Sequence, residues 1–191
     1  MSDRPRDEWN DGPRVTATGA RFRVWAPKAR SVEAAIERDG ESTFYLLRRL
    51  ADGMHEGFVA GAGAGTRYRY RLDGEPSYPD PCSRFQPEGV HGPSELVDAA
   101  SFPWSDDAWP CLDLDRLVIY ELHVGAFTPE GTFAALIGKL PALRDLGVTA
   151  LELMPVAEAP GRWGWGYDGV DLYAPSHNYG RPDDLRRLVD A

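Results

Sequence analysis

The spacing of apolar residues changes near Arg116, and this change restricts the folds open to the chain. Before it, apolar and polar residues alternate, most clearly in residues 66–72, where tyrosines and a leucine face one way and arginines the other. Alternation of this kind is typical of antiparallel strands with one face in water. After it, apolar residues run almost continuously through residues 117–124 and 148–154, as in strands buried on both faces of a parallel sheet. We therefore expect a β domain followed by an α/β domain.

The first half carries the turn signals of a small antiparallel domain. Asp39-Gly40, Asp52-Gly53 and Asp73-Gly74 separate the alternating segments, and such pairs favour hairpins. Several short strands in this arrangement predict a β-sandwich over residues 15–105. The polar residues before it, 1–14, are expected to form a disordered lead-in.

Three arginines, Arg67, Arg69 and Arg71, lie on one face of the clearest strand. Such a face is either solvated or holds an anionic partner. The strict alternation favours the solvated interpretation, because one face of an antiparallel sheet commonly lies in water.

A proline-rich stretch separates the two patterns. Seven prolines fall between Pro76 and Pro110, and proline disfavours both helices and central strands. The stretch is also too aromatic for a free linker. We therefore expect irregular but ordered chain, with residues 106–116 connecting the two domains.

The second half predicts alternating strands and helices. Apolar residues recur at steps of three and four along residues 133–146, as in an amphipathic helix. Pro141 must kink this helix or start a second one, and Gly147 follows as a left-handed C-terminal cap. Pro182 and two acidic residues open another helix. The order strand, helix, strand, loop, helix predicts an open sheet or the start of a barrel over residues 117–191.

The stretch 161–180 is the richest candidate for a binding site. It holds two Trp, three Tyr, two Asp, one His and five Gly, and it follows an apolar strand. Loops in this position form the binding surface of α/β barrels. Flat aromatic faces stack on sugar rings while Asp and His bind hydroxyl groups. A structural loop whose aromatic side chains only pack fits the composition equally well.

Composition and charge exclude several other classes of function. The formal net charge of −9 argues against a nucleic-acid surface, which needs a basic stripe. No apolar run approaches the roughly 20 residues of a membrane span, and the charged start of the chain does not have the apolar core of a secretion signal. Cys82 and Cys111 fit reduced thiols better than a disulfide. We therefore expect a cytoplasmic protein without a metal site or cofactor.

Five segments of the chain carry longer motifs. They are FRVWAP at 22–27, YPDPCSRFQPEGVHGPSELVD at 78–98, YELHVGAFTPEGTF at 120–133, LRDLGVTALELMPV at 143–156 and WGYDGVDLYAPSHNYGRPDDLRRLVDA at 165–191. These segments resemble the α-amylase superfamily of glycoside hydrolases, in particular the malto-oligosyltrehalose trehalohydrolases. The resemblance implies an N-terminal immunoglobulin-like β-sandwich, similar to a carbohydrate module, followed by the first two βα units of a (β/α)8 TIM barrel.

The same resemblance implies four substrate-binding residues. Tyr167, in the motif GYD, corresponds to the tyrosine that stacks on the sugar in the subsite where the bond is cut. Trp165 and Asp168 are its neighbours in the motif. His123 lies at the C-terminal end of the first barrel strand, where barrel sites are built; the alternative is a histidine of the core or a strand cap.

No acidic residue of this chain matches a catalytic position of the family. Retaining glycosidases need two carboxylates about 5–5.5 Å apart, which the family supplies from barrel strands four and five. Glu121 and Glu152 lie inside the predicted buried strands, and Glu158, Asp168 and Asp171 are loop residues with no spacing that fixes a pair. We therefore expect the catalytic residues downstream of residue 191, in a longer enzyme of which this chain is an inactive N-terminal fragment.

The implied activity is hydrolysis of the α-1,4-glucosidic bond next to the trehalose end of maltooligosyltrehalose, a step that releases trehalose. The alternatives are a glycogen branching or debranching enzyme and a non-catalytic glucan-binding module. The expected partner in each case is an α-glucan. Because two βα units cannot close a barrel, their strands are expected to expose apolar faces and unpaired edges.

Overall fold

The computed structural model describes residues 12–191 except residues 75, 107 and 110. They form two compact units. The first unit contains the described residues up to Arg84 together with His91–Asp98, and the second contains Phe85–Val90 and Ala99–Ala191. Most of the predicted lead-in, residues 1–11, lies outside the described chain, and strand structure begins at Arg14.

The first unit consists of two antiparallel sheets. One sheet has the strand order β1-β2-β6-β5, and the other has β4-β3-β7-β8, with β9 also paired to β7. The strands are β1 (Arg14–Thr16), β2 (Gly19–Trp25), β3 (Val32–Arg38), β4 (Glu41–Leu46), β5 (Arg48–Arg49), β6 (Met54–Ala60), β7 (Arg67–Leu72), β8 (Ser77–Tyr78) and β9 (Ser94–Glu95).

Alternating side chains of both sheets form the core of the first unit. Phe22 of β2 packs edge-on against Tyr68 of β7, with ring centroids 5.2 Å apart, and Ile36 of β3 lies in the same cluster. The turn Asp39-Gly40 joins β3 to β4 with φ of 51° and 81°, as a two-residue hairpin of the primed type requires. The predicted β-sandwich is therefore confirmed.

A buried carboxylate orders part of the proline-rich stretch. Asp80 is fully buried and accepts hydrogen bonds from the Tyr68 hydroxyl at 2.7 Å and from the Cys82 N–H at 2.8 Å. Its own N–H donates to the Ser94 hydroxyl oxygen at 2.9 Å. Burial, and then the Asp80 charge, raise the pKa of Tyr68 well above its ordinary value, so this hydroxyl remains a donor at neutral pH.

The three arginines on β7 are neutralised by glutamates of the same unit. The ion pairs are Arg67 with Glu95 at 3.1 Å, Arg69 with Glu37 at 3.2 Å and Arg71 with Glu33 at 2.7 Å. The Arg71 guanidinium also lies 3.5 Å from the centroid of the Phe44 ring. An anionic partner would have to displace these glutamates, so the structure favours the partly solvated, ion-paired face.

In the second unit, two short 3-10 helices, Ala99–Ser101 and Leu114–Arg116, precede a two-stranded parallel sheet, and the unit ends with a helix. Strand β10 pairs with β11 in parallel, and β12 pairs with β13 in an antiparallel arrangement. The elements are β10 (Ile119–Leu122), α1 (Val124–Phe127), α2 (Phe133–Ile137), α3 (Leu140–Leu146), β11 (Ala150–Leu153), β12 (Ala157–Glu158), β13 (Asp171–Pro175) and α4 (Pro182–Asp190).

The predicted helix boundaries are confirmed in this unit. The helical pattern breaks between α2 and α3, with Pro141 in the first turn of α3, because proline cannot donate to the preceding turn. Gly147 ends α3 in the left-handed conformation, with φ of 99°. The order of β10, the α2–α3 pair, β11 and α4 is that of two βα units, so the predicted fold class is confirmed.

The parallel sheet is covered on one face only. Leu122 of β10 and Leu151 and Leu153 of β11 pack in a cluster with Phe133 and other helix residues. On the opposite face Ile119 is 57% exposed. This confirms that two βα units leave apolar surface exposed, and it shows that burial on both faces was a wrong expectation for this chain.

Two further expectations require correction. Glu121 and Glu152 are register partners on neighbouring strands and are both exposed, not enclosed within buried strands, because the face that carries them is uncovered. The aromatic stretch is also not a continuous loop, since its residues 171–175 form β13 and pair with β12.

None of the described helices is long and apolar enough to cross a membrane.

Candidate functional site

A cavity of about 400 Å³ opens where the first parallel strand ends. Its wall comes from the end of β10, the turn before α2, the start of the aromatic stretch and the turn after β13. The larger polar and aromatic side chains that line it are those of His123, Glu130, Arg162, Trp163, Asn178 and Tyr179. A volume of this size lies within the range of small-molecule sites.

His123 is a wall residue whose ring is tied to the aromatic stretch. Its Nε2 lies 2.9 Å from the Gly164 carbonyl oxygen and 3.2 Å from the Tyr179 hydroxyl. Because a carbonyl only accepts, Nε2 carries a proton and donates to Gly164. Nδ1 is buried without a hydrogen-bond partner among the described residues. The half-buried His123 therefore joins the end of β10 to the aromatic stretch.

Tyr179 packs beneath this contact. Its ring lies edge-on to His123, with centroids 5.9 Å apart, and edge-on to Phe133, with centroids 5.8 Å apart. Burial, and then the negative charge of Asp168, raise the pKa of its hydroxyl above the ordinary value. The hydroxyl is therefore protonated at neutral pH and available for hydrogen bonds.

The outer aromatic side chains of the stretch are exposed. Trp163 is 78% exposed, Trp165 is 74% exposed and Tyr167 is 73% exposed. Side chains in such positions do not serve to pack the loop, so the packing interpretation is disfavoured for these three residues. Arg162 lies against the Trp163 ring, 4.8 Å from its centroid.

The four predicted site residues do not converge on one cavity. His123 lines the larger cavity, and Asp168 lines a neighbouring depression together with Gly164. Trp165 and Tyr167 line neither of these two spaces. Of the three exposed aromatic residues, only Trp163 therefore lines the cavity.

Several wall residues were missed by the sequence reasoning. The predicted binding residues did not include Glu130, Arg162, Trp163, Asn178 and Tyr179. Their positions in the sequence could have identified them as candidates, because the turns that follow barrel strands lie together at one end of the sheet. Within the described residues, no group of three or more His, Cys, Asp or Glu side chains could hold a metal ion.

Two family models together match almost the whole chain. Carbohydrate-binding module 48 (isoamylase N-terminal domain) matches residues 10–83, and the catalytic domain of alpha amylase matches residues 57–191. The chain belongs to the α-amylase family. Its second unit is thus the first part of an α-amylase catalytic domain, and its sandwich corresponds to the carbohydrate-binding module.

Relatives of this chain include two groups of enzymes. Malto-oligosyltrehalose trehalohydrolase of Deinococcus radiodurans is 46% identical over 98% of this chain and 30% of its own length. The 1,4-alpha-glucan branching enzyme GlgB 2 of Streptomyces coelicolor is 38% identical over 91% of this chain and 25% of its own length. The chain thus spans about 30% of the length of the trehalohydrolase that it matches.

A solved structure confirms the architecture. A crystal structure from Salmonella typhimurium, provisionally named an alpha amylase, superposes with a TM-score of 0.88 at 43% sequence identity. The match covers 95% of this chain and 30% of that protein. The β-sandwich and the βα units that follow it are therefore shared with this structure.

Proposed function

We propose that this chain forms part of a glycoside hydrolase that cleaves the α-1,4-glucosidic bond next to the trehalose end of maltooligosyltrehalose and releases trehalose. The observation that carries the proposal is the cavity at the end of β10, flanked by exposed aromatic rings, in an α-amylase family chain. The identity to a trehalohydrolase, 46%, exceeds the identity to a branching enzyme, 38%, and therefore favours trehalose release.

The geometry supports the binding of a glucan chain. Exposed Trp163, Trp165 and Tyr167 offer flat apolar faces for sugar rings, while Glu130 and Asn178 in the cavity offer polar groups for hydroxyls. Apolar surface with a few convergent polar groups is the usual composition of such sites.

Tyr167, Trp165 and Asp168 remain our candidates for direct contact with substrate. In this proposal Tyr167 stacks on the sugar at the bond that is cut, and its neighbours extend the same surface. His123 has its Nε2 engaged by Gly164, so its part in binding is to shape the cavity wall.

The catalytic carboxylates are proposed to come from residues outside these 191. Hydrolysis with retention requires a nucleophile and an acid/base about 5–5.5 Å apart. Glu121 and Glu152 stand within the strands and on the uncovered sheet face, away from the loop ends where barrel sites are built. We expect the purified 191-residue chain to release no trehalose from maltooligosyltrehalose in a product assay. Measurable trehalose would show that a local acid pair is sufficient.

Glucan binding is tested by titration of the 191-residue chain with a maltooligosyltrehalose, followed by tryptophan fluorescence. We expect saturable binding that weakens about fivefold in Tyr167→Ala and Trp165→Ala, since one sugar–aromatic contact contributes on the order of 1 kcal/mol. Trp109→Ala is the matched control, because Trp109 is 62% exposed in the same unit and lines neither cavity. Equal weakening in the control, or no loss in the two site variants, would contradict the proposed surface.

The remaining alternatives are distinguished by products. A branching enzyme would transfer glucan segments instead of releasing trehalose, and a non-catalytic module would do neither. The assay uses the complete protein with maltooligosyltrehalose and with linear glucan.

Two-carboxylate hydrolysis needs no cofactor, so we propose none. A cytoplasmic location completes the proposal, and it is supported by the exposed thiol of Cys111, which forms no disulfide.

A further inference from the structure

A buried carboxylate is hydrogen-bonded to the turn that lines the cavity and has no part in the proposed reaction. Glu158 of β12 is fully buried, and its Oε2 accepts two hydrogen bonds from one residue, His177. The His177 backbone N–H donates at 2.7 Å and the ring Nδ1 donates at 2.8 Å. A buried carboxylate is costly unless it is hydrogen-bonded. The Glu158 Oε1 is buried without a hydrogen-bond partner among the described residues, so the side-chain hydrogen bonds of this carboxylate come from His177.

His177 belongs to a turn whose next residues face the cavity. The turn, residues 176–179, is closed by the Tyr179 N–H, which donates to the Ser176 carbonyl oxygen at 3.0 Å. The Ser176 N–H donates to the Val156 carbonyl oxygen at 2.7 Å and attaches the turn to the segment before β12. The His177 side chain reaches Glu158, whereas Asn178 and Tyr179 line the cavity.

The same turn holds the start of the aromatic stretch at two points. The Asn178 Nδ2 donates to the Gly161 carbonyl oxygen at 3.1 Å. Tyr179 contacts His123 at 3.2 Å, and His123 in turn donates to the Gly164 carbonyl oxygen at 2.9 Å. Residues 161–164 are therefore fixed at both ends. Trp163 lies between these two residues in the chain.

We propose that Glu158 is a positioning residue of the glucan site. Through His177 it fixes the turn 176–179, so that Asn178 and Tyr179 hold residues 161–164 and the Trp163 ring at the cavity. The ligand class, an α-glucan, rests on the proposed function. The positioning role does not rest on the proposed function, because all the contacts that support it lie within the second unit and involve no ligand.

The first test reads the positioning without any ligand. NMR of the 191-residue chain with nitrogen-labelled histidine reports which ring nitrogen carries a proton. We expect His177 to be protonated on Nδ1 and His123 on Nε2. In Glu158→Ala, the His177 Nδ1–H signal is lost and the His123 Nε2–H signal shifts or exchanges faster, while His55 in the first unit is unchanged. In Glu158→Gln both signals persist, because the amide oxygen still accepts.

Two more variants keep this test decisive. Tyr179→Phe removes only the contact between the Tyr179 hydroxyl and His123, so it shifts the His123 signal and leaves the His177 signal unchanged. His177→Ala keeps the Glu158 carboxylate and the hydrogen bond that it accepts from the backbone N–H of residue 177. If Glu158→Ala does not fold, His177→Ala takes its place in the test. A His123 signal that stays unchanged in folded Glu158→Ala, or in folded His177→Ala, would overturn the proposal.

The second test measures affinity for maltooligosyltrehalose by tryptophan fluorescence. The dissociation constant rises about tenfold in Glu158→Ala, as the loss of one positioned contact predicts, and stays near the wild-type value in Glu158→Gln. Glu152→Ala removes an exposed carboxylate that lines neither cavity and serves as the matched control. Equal affinity of Glu158→Ala and wild type overturns the positioning role. Absence of binding in the wild type counts against the proposed function, and the NMR result then still decides the positioning.

Discussion

His55 of β6 is a titratable residue that the sandwich encloses completely. Burial lowers the pKa of its imidazole, and the nearby positive charge of Arg49 lowers it further. The Gly53 carbonyl and the charge of Asp73 act in the opposite direction but do not outweigh burial. The folded protein therefore protonates at His55 less readily than the unfolded chain, in which the imidazole has its ordinary pKa of 6.5.

This difference predicts an acid-sensitive first unit. Well above pH 6.5 His55 is neutral in both states, so its titration does not change the free energy of unfolding. As the pH falls below that value the unfolded state binds more protons, so the free energy of unfolding decreases until the lower folded pKa is reached.

The measurement compares wild type with His55→Gln in urea unfolding between about pH 5 and 8. The unfolding free energy of wild type minus that of His55→Gln should decrease towards acid pH, because only in wild type does the unfolded state take up a proton at residue 55. The other three histidines are present in both proteins and cancel. A difference that stays constant with pH would show that His55 does not titrate differently on folding.

At the scale of elements, glycines at the ends of α2 and α3 follow opposite rules. Gly147 after α3 has φ of 99°, a left-handed conformation that other residues adopt at a cost, and an added Cβ there would meet no atom within 4 Å. Gly138 after α2 has φ of −64°, and an added Cβ there meets only the Ala135 carbonyl oxygen at 3.6 Å. Backbone strain is therefore the only difference that matters between the two positions.

Alanine at these two positions should change stability in opposite directions. Gly147→Ala is expected to lower the free energy of unfolding of the second unit by about 1–2 kcal/mol. Gly138→Ala is expected to raise it by about 0.4–1 kcal/mol through a less flexible unfolded chain. Urea unfolding followed by circular dichroism checks both. Equal effects at the two positions would mean that the left-handed end of α3 is not rigidly held.

The sequence predicted these helix ends because their causes are local. Pro141 and Gly147 act through their own backbone geometry, so they mark the same boundary in any fold. The division of the aromatic stretch was not predictable in this way. Strand β13 forms only because β12 lies beside it, and pairing between strands depends on how the chain returns, not on the local composition.

At the scale of the whole molecule, the two units differ in how well their apolar surface is covered. The first unit has a core of fully buried residues from both sheets, among them Phe22, Tyr68 and Val32. The second leaves Val118 and Ile119 of the parallel sheet region more than half exposed. Uncovered apolar faces and open strand edges provide less stability and invite association.

We therefore expect unequal protection in hydrogen exchange of the 191-residue chain. Amides of the central strands β2, β3, β6 and β7 should exchange more slowly than those of β10 and β11, since exchange follows the local free energy of opening. The first unit should also remain folded at urea concentrations that unfold the second. Equal protection in the two units would show that the two βα units are stable without further strands.

Sequence alone determined the types of element and their division into a sandwich followed by βα units, because hydrophobic periodicity, proline and glycine act over a few residues. Only the tertiary structure decided which side chains form the cavity. His123 and Tyr179 meet although they are 56 positions apart, and Glu158 reaches His177 across 19 positions. Such contacts form where strand ends and turns meet in the folded chain. They join residues that are distant in the sequence, so local composition does not predict them.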